Sequence, residues 1–172
     1  MELTDILPLD KWVELEKDIV SRSGLDASIF NIKGIRITTF RQWANKLCPA
    51  IKATDKGQSF ICAVAHMNLA AQAMKSKTPV IEECDAGLVK LVVPVFVGDE
   101  FVGAFGACGH LLDEGEVDSF MVNKTTEIEE DKIEALSQGI KSVSSETAES
   151  LAEYISGKLT EIVMNYEKSG KK

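Results

Sequence analysis

The sequence predicts an α+β domain in which helices pack on a mainly antiparallel sheet. Residues 88–97 form a nearly continuous apolar run, and residues 101–110 follow as a second strand. Gly98 and Asp99 between them are a two-residue turn signal, which joins antiparallel strands. Residues 58–77 instead repeat apolar side chains at helical spacing. A sheet that carries helices buries both patterns, so we expect this architecture.

Three shorter segments extend the architecture on the N-terminal side. Residues 10–22 predict a helix, because their apolar side chains repeat on one face. The β-branched stretch 27–38 predicts a hairpin. Residues 41–51 predict a short helix, with the alternative that it ends near Leu47, since Pro49 is unfavourable within a helix.

The helix over residues 58–77 has three faces that differ in polarity. Polar side chains mark the solvent side. We expect the bulkiest apolar stripe to face the core, and its members are Phe60, Val64, Met67, Ala71 and Met74. A third stripe lies between these two and consists of Cys62, His66, Leu69 and Ala73.

A long C-terminal helix is predicted over residues 144–166. Its apolar residues step alternately by four and three positions, which is a short heptad seam. Such a seam docks on its own domain or pairs with a second copy, and the second use predicts a homodimer. The seam consists of Ala148, Ala152, Ile155, Leu159, Ile162 and Tyr166.

Composition limits the partners and the location of the protein. The chain has 172 residues and a formal net charge of −8, which argues against direct binding to nucleic acid or to an anionic membrane surface. No apolar run approaches the roughly 20 residues of a membrane span. Residues 1–9 lack the basic start of a signal peptide, so we expect a cytoplasmic protein. In that compartment the cysteines are expected to be free thiols or metal ligands and not disulfides. They are Cys48, Cys62, Cys84 and Cys108.

The residue types give little sign of catalysis, and they leave a metal site open as an alternative. Cys62 and His66 are one helical turn apart, which suits either a nucleophile with its base or two metal ligands. Cys48 and Cys84 would complete four ligands for zinc or an iron–sulfur cluster. The chain has no Cys-x-x-Cys motif, however, and free cysteines often simply pack in cores. We therefore expect no enzyme, and the metal site stays the alternative.

Cys108 is predicted to play a lesser part than the other cysteines. Unbroken alternation through the hairpin places it on the same face as Leu91 and Val93. It is therefore expected in the core or in a pocket wall, and not as a ligand.

The middle of the chain resembles a known family, the PocR-type sensory domain. Cys48 precedes the phrase Gly57-Gln58-Ser59-Phe60-Ile61-Cys62, and Thr78-Pro79-Val80 precedes Cys84-Asp85-Ala86-Gly87-Leu88. Val93-Pro94-Val95, Gly98 and Gly103 complete the match, which covers about residues 8–165. The resemblance implies a PAS/GAF-like fold that binds small organic compounds, such as propanediol-like alcohols or simple hydrocarbon derivatives. It also implies a histidine kinase or a transcription factor as the output partner.

The chain departs from the family pattern at two positions. Family members commonly carry an acidic residue four positions after the second cysteine and a histidine directly after the third. This chain has His66 and Asp85 there, so the two residue types are exchanged. We hypothesise that these side chains face each other across the site, which would also bring Cys62 close to Cys84.

These observations predict a sensory domain over residues 1–125 and a helical extension for dimerisation or signalling over residues 126–172. The ligand should lie between the sheet and the helices, with a metal- or Fe–S-dependent redox or gas sensor as the alternative function. The possible metal ligands are Cys48, Cys62, His66 and Cys84, and His110 is a further polar group near the site. The predicted ligand-binding residues are Phe40, Trp43, Cys48, Cys62, His66, Cys84, Asp85 and Phe105.

Overall fold

The computed structural model describes residues 1–170 and confirms the predicted α+β class. A four-stranded antiparallel sheet has the order β1-β4-β3-β2. A short parallel pair, β5 with β6, lies beside it. The strands are β1 (Asp26–Asn31), β2 (Val80–Glu83), β3 (Val89–Val97), β4 (Glu100–Cys108), β5 (Leu111–Leu112) and β6 (Ser142–Val143).

Helices cover both faces of the main sheet. On one face, α1, α2 and α8 pack against the apolar side chains of β1, β3 and β4. On the other face, α5 packs on Val92 and Ala104. No helix over the described residues is long and apolar enough to cross a membrane. The helices are α1 (Leu3–Ile6), α2 (Leu9–Ser23), α3 (Leu47–Lys52), α4 (Asp55–Gly57), α5 (Val64–Ser76), α6 (Ser119–Thr126), α7 (Glu130–Ser137) and α8 (Ser145–Lys168).

A π-helical segment, Gln58–Ala63, joins α4 to α5. The three pieces follow one another without a break from Asp55 to Ser76, so the predicted helix is present and begins slightly earlier than expected. Segments of this kind within α-helices are rare and are frequent at functional sites. The segment carries Cys62, which the sequence places in the candidate site.

The prediction of which helix stripe faces the core is wrong. Phe60 and Met67 are 61% and 51% exposed, whereas His66, Leu69 and Ala73 of the third stripe are buried. The physical reason is the surface below: the helix lies on a sheet face of small residues, among them Ala104, which leaves little room for bulky side chains.

A β-bulge in the β3–β4 hairpin reverses the face that β4 presents. Val97 pairs with Glu100 as the turn predicts, but the register shifts between Val95 and Phe96. As a result Cys108 lies opposite Lys90. A bulge adds one unpaired residue to a strand, so it moves every later side chain to the other face. The predicted grouping of Cys108 with Leu91 and Val93 is therefore wrong.

The N-terminal segments differ from their predictions in two ways. The predicted hairpin over 27–38 is only the strand β1 with a single bridge between Phe30 and Arg36. The short helix begins at Leu47 instead of ending there. Pro49 is then in the first turn, where its missing N–H is not needed.

The C-terminal helix docks on its own domain. The seam residues Ala152, Ile155 and Leu159 belong to the core that packs on β3. Ile133, which also lies beyond residue 125, is buried in a second core with Leu47. Residues on both sides of the predicted boundary at residue 125 therefore share these cores, and the division into a sensory domain and a helical extension stays a prediction. Because the seam is buried within its own domain, it does not by itself argue for a dimer, which also stays a prediction.

Candidate functional site

A cavity of about 110 Å³ lies between the sheet and the π-helical segment. Its floor follows from strand alternation, because every second side chain of a strand points to the same face. Three strands contribute in this way. In β4 the bulge turns Gly106 and Cys108 towards the cavity. The floor consists of Asp26, Ser28, Phe30, Lys90, Gly106 and Cys108.

Helical and loop residues close the cavity from above. The π-helical segment and α5 contribute Gln58, Cys62 and His66. The segment before β3 contributes Cys84, and the loop after Arg36 contributes Trp43, which is 38% exposed at the rim. The remaining lining residues are Gly34, Arg41, Ala44, Cys48, Lys52, Ala63, Ala65, Leu88 and Gly109.

Asn45 fixes the beginning of α3 beside the sheet. Its Oδ1 accepts a hydrogen bond from the backbone N of Cys48 at 2.7 Å, and its Nδ2 donates to the carbonyl O of Gly109 at 2.6 Å. Side-chain oxygens of Asn suit this position because the first N–H groups of a helix have no partner within it. The Cys48 side chain is thereby held at the cavity wall.

Gly57 brings α3 and the π-helical segment together. A Cβ atom built on this residue would lie 2.2 Å from the carbonyl O of Ile51, so the two backbones meet where only glycine fits. This close approach places Cys48 and Cys62 on the same cavity.

Three of the cavity cysteines are in surroundings that favour the protonated thiol. Burial raises the pKa of the Cys48, Cys62 and Cys84 thiols above the usual value. A protonated, buried cysteine behaves as a small apolar residue and is a weak nucleophile. The cysteines therefore form an apolar wall in this structure.

His66 is a buried histidine whose ring makes no hydrogen bond to the described residues. It is 3% exposed, its ring lies 3.8 Å from the ring of Phe30 between centroids, and neither ring nitrogen has a partner. Burial, together with the charges of Lys90 and Lys52, lowers its pKa to about 3. Neutral His66 offers one N–H donor and one acceptor to the cavity.

The neutral state of His66 predicts a loss of stability in mild acid. The unfolded chain takes up a proton near the ordinary histidine pKa of 6.5 and the folded chain does not, so stability is complete above that value and falls towards pH 3. We expect wild type to lose about 2 kcal/mol more than His66→Gln between pH 7 and pH 5. Urea unfolding of both proteins at the two pH values measures the two losses of stability. Subtracting one loss from the other cancels the contribution of the other titratable groups. An equal loss in both proteins would contradict the prediction.

Buried polar atoms without partners concentrate at this cavity. Among the described residues, six buried side-chain nitrogen and oxygen atoms have no hydrogen-bond partner, and four of them belong to the cavity lining. Such atoms are rare in native proteins and each calls for an explanation, such as a bound molecule. The four are Asp26 Oδ1, Gln58 Oε1, His66 Nδ1 and His66 Nε2.

The cavity also gathers basic side chains in an otherwise acidic chain. Arg41 Nη1 lies 3.2 Å from Asp26 Oδ2, and its guanidinium lies 4.3 Å from the ring centre of Trp43. Burial lowers the pKa of Lys52, with a further contribution from Arg41. Burial raises the pKa of Asp26 despite the neighbouring Arg41. Lys90 is only 9% exposed.

Five of the eight residues predicted to bind the ligand line the cavity, namely Trp43, Cys48, Cys62, His66 and Cys84. Three do not. Phe105 is completely buried on the opposite face of the sheet because of the bulge in β4. Phe40 packs on that same core, with Lys17 Nζ 5.7 Å from its ring centre. The third, Asp85, is described below. His110 was predicted only as a further polar group near the site; it is buried near Gly24 and is also outside the cavity lining.

Asp85 is the third exception, and the hypothesis that it faces His66 is wrong. Asp85 is exposed and lies outside the cavity lining, whereas His66 is buried and unpaired. A hydrogen bond between His66 and Asp85 therefore does not explain the exchange of residue types at these positions.

Sequence reasoning missed the charged residues of the site. Lys90 stands in an apolar strand, and only the strand register shows that it faces the cavity beside Cys108. Asp26 and Arg41 form their ion pair across a loop of irregular structure. The alternation of polar Asp26 and Ser28 with apolar Ala27 and Ile29 in β1 was an available signal for Asp26.

The predicted metal ligands share the cavity but not the geometry of a metal site. Cys48, Cys62, His66 and Cys84 all line it. Over the part of the chain that the structure describes, no three His, Cys, Asp or Glu side chains are grouped closely enough to hold a metal ion.

The fold and the cavity define a small α+β domain with a cavity between its sheet and its helices. A protein-family model described as the sensory domain found in PocR matches residues 5–165, and the chain belongs to this family. No curated protein and no solved structure gives a significant match. The predicted family is confirmed, and with it the sensory role of the domain.

Proposed function

We propose that the domain senses a small organic molecule bound in the cavity and relays its presence by a conformational change. The observation that carries the proposal is the group of four unpartnered polar atoms on the cavity wall. Ligand sites are mostly apolar cavities with a few polar groups that fix orientation. Here thiols and Phe30 supply the apolar part, and His66 and Gln58 supply the polar part.

The size of the cavity supports a ligand of few atoms. Its volume is about 110 Å³. A cavity of roughly 150 Å³ accepts benzene, so this one suits a molecule of about six non-hydrogen atoms or fewer. Propanediol-like alcohols and other three- or four-carbon compounds fall within this limit.

Strand β3 supports a route for the signal. Lys90 of this strand faces the cavity, whereas the neighbouring Val89 and Leu91 face the core that contains α8. A ligand that favours one packing of the strand would shift the population of α8 positions by its difference in affinity. A histidine kinase or a transcription factor would then read the change, and a cytoplasmic location and a dimer stay predictions.

Binding without catalysis is the role that the side chains favour. A cysteine nucleophile needs a lowered thiol pKa, and here burial raises the pKa of Cys62. His66 has no carboxylate to orient it as a base.

A metal- or Fe–S-dependent redox or gas sensor is the alternative function. It is favoured by one observation, the convergence of Cys48, Cys62, Cys84 and Cys108 on a single cavity. Thiolate ligands would require Cys48, Cys62 and Cys84 to lose protons that their burial favours. The type and proximity of these residues therefore support zinc or an iron–sulfur cluster. Their spacing gives less support, because no three potential ligands among the described residues are grouped closely enough to hold a metal ion.

The fluorescence of Trp43 at the rim tests the proposed function. Titration with 1,2-propanediol and 1-propanol should change the emission in a saturable way, and Trp43→Phe should remove the change. Gly106→Ala adds a methyl group within 3.8 Å of His66 Nδ1 and should weaken binding about tenfold, since overfilling a site costs roughly 1–3 kcal/mol. Gly157→Ala in α8, which meets nothing within 4 Å, is the matched control and should bind as wild type does.

Two results would contradict the proposal. One is binding that Gly106→Ala leaves unchanged, because the ligand would then lie elsewhere. The other is a stoichiometric metal or a cluster absorption band in anaerobically purified protein, which would establish the alternative sensor.

A further inference from the structure

We propose that the cavity selects small organic acids, with the ligand carboxylate bound by Lys90 and Lys52. This inference rests on the proposed function and specifies its ligand class. The charges of the cavity carry it: one acidic side chain, Asp26, faces three basic ones. In a chain of net charge −8, this lining carries a formal charge of +2, with Arg41 as the third base.

The two lysines have no ionic partner among the described residues. Asp26 is the only acid in the lining, and Arg41 already pairs with it at 3.2 Å. Neither Lys90 nor Lys52 makes a salt bridge or a side-chain hydrogen bond to a described residue. Lys90 is 9% exposed and Lys52 is half-buried, and an ammonium group that is partly removed from water without a counter-charge is costly. A ligand carboxylate would offset that cost, so anions gain more from this site than neutral molecules.

Lys90 is held where a ligand can reach it. It is 9% exposed, and its Nζ lies 5.8 Å from the ring centre of Phe30 on the cavity floor. The strand register fixes its position opposite Cys108, so its backbone cannot move away from the site. The ring of Phe30 is a weak partner for a cation compared with a carboxylate.

His66 gives a second, independent indication of a ligand at the same place. It lines the cavity, is 3% exposed, and neither of its ring nitrogens has a partner among the described residues. Gly106 lies beside the ring, since a Cβ atom there would be in van der Waals contact with His66 Nδ1 at 3.8 Å. A neutral imidazole N–H donates well to a carboxylate oxygen, which would satisfy one of the two nitrogens.

The apolar wall indicates what the acid carries besides its carboxylate. The thiols of Cys48, Cys62 and Cys84 are uncharged, and with Phe30 they suit a short aliphatic group. The volume limits that group to a few carbons. The class is therefore a short-chain carboxylic or hydroxycarboxylic acid, and not inorganic phosphate, which has no apolar part.

Matched pairs of probes test the charge preference. Calorimetric titration compares propionate with propionamide, and lactate with 1,2-propanediol, at low and high salt. Each acid should bind at least tenfold more tightly than its neutral partner, and the preference should shrink as salt rises. Inorganic phosphate is the third probe and should bind more weakly than propionate.

Lys90→Met should remove the preference without emptying the site. It keeps the length and apolar volume of the side chain, so propionamide should bind within twofold of wild type while propionate loses its advantage. Lys158→Met, an exposed lysine of α8, is the matched control and should retain the preference. Lys52→Met provides the same test if Lys90→Met fails to fold.

The outcomes separate this inference from the proposed function. Neutral probes that bind as well as the acids, with binding weakened by Gly106→Ala, would overturn the acid preference and leave the sensor role standing. An unchanged preference in both lysine variants would also overturn it. If neither acids nor neutral probes bind, both proposals fail.

Discussion

Replacing Glu16 with alanine is expected to lower the free energy of unfolding by about 3–5 kcal/mol. Glu16 is completely buried in α2. Its Oε1 accepts hydrogen bonds from the backbone N of Ile29 at 3.0 Å and from Thr38 Oγ1 at 2.6 Å, and lies 3.9 Å from Arg36 Nη2. Alanine would leave the Ile29 N–H and the Thr38 hydroxyl without this acceptor, and the loss of the counter-charge beside the largely buried Arg36 is the largest part of the penalty.

The same substitution should also weaken the candidate site. Arg36 and Thr38 begin the irregular segment that continues to Arg41 and Trp43 at the cavity. Without Glu16 this segment loses its hydrogen bond from Thr38 and its ion pair from Arg36 to α2, so we expect weaker ligand binding together with lower stability.

Chemical denaturation of three variants measures the effect of Glu16. Glu14→Ala is the control on the same helix, since its side chain is 62% exposed and pairs only with Lys11, and it should change stability by about 0.5 kcal/mol or less. Glu16→Gln should fall between the two, because the amide retains one oxygen acceptor. A Glu16→Ala protein as stable as Glu14→Ala would show that the buried contacts contribute nothing.

Replacing Trp12 with alanine is expected to cost a similar amount, about 3–5 kcal/mol. Trp12 is completely buried in the core between α2 and the sheet, and its Nε1 donates to the carbonyl O of Leu3 at 3.1 Å. Alanine leaves a large cavity and removes the hydrogen bond from the indole to the Leu3 carbonyl, which joins α2 to α1.

The second tryptophan of the chain provides the control. Trp43 is 38% exposed at the cavity rim, so Trp43→Ala should lower stability by about 1 kcal/mol or less and act on ligand binding instead. Thermal and urea unfolding, followed by far-UV circular dichroism, compares the two variants. A smaller loss for Trp12→Ala than for Trp43→Ala would contradict the placement of the core.

The elements that were predictable from the sequence have strong local patterns. The turn at Gly98 and Asp99 correctly paired Val97 with Glu100, and helical spacing correctly indicated α2 and α8. The error began two residues after the turn. One unpaired residue in β4 exchanged the faces of Phe105 and Cys108, and alternation by itself contains no signal for a bulge.

The apolar part of the site was predictable, and the charged part was not. Cys48, Cys62 and Cys84 were identified by residue type and by resemblance to a family. Lys90 and Lys52 were missed because an isolated lysine in a strand or a helix usually points to solvent. Only the packing of three strands against the helices shows that these ammonium groups converge.

The π-helical segment Gln58–Ala63 makes the chain sensitive to its length at this point. Each residue of an α-helix turns the chain by about 100°, so a deletion that made the segment α-helical would rotate all of α5 by that angle. His66 would leave the cavity, and one of the exposed apolar side chains, such as Met67, would turn towards the sheet. Substitutions in this segment change single contacts, whereas an insertion or deletion changes the angular phase of the whole helix.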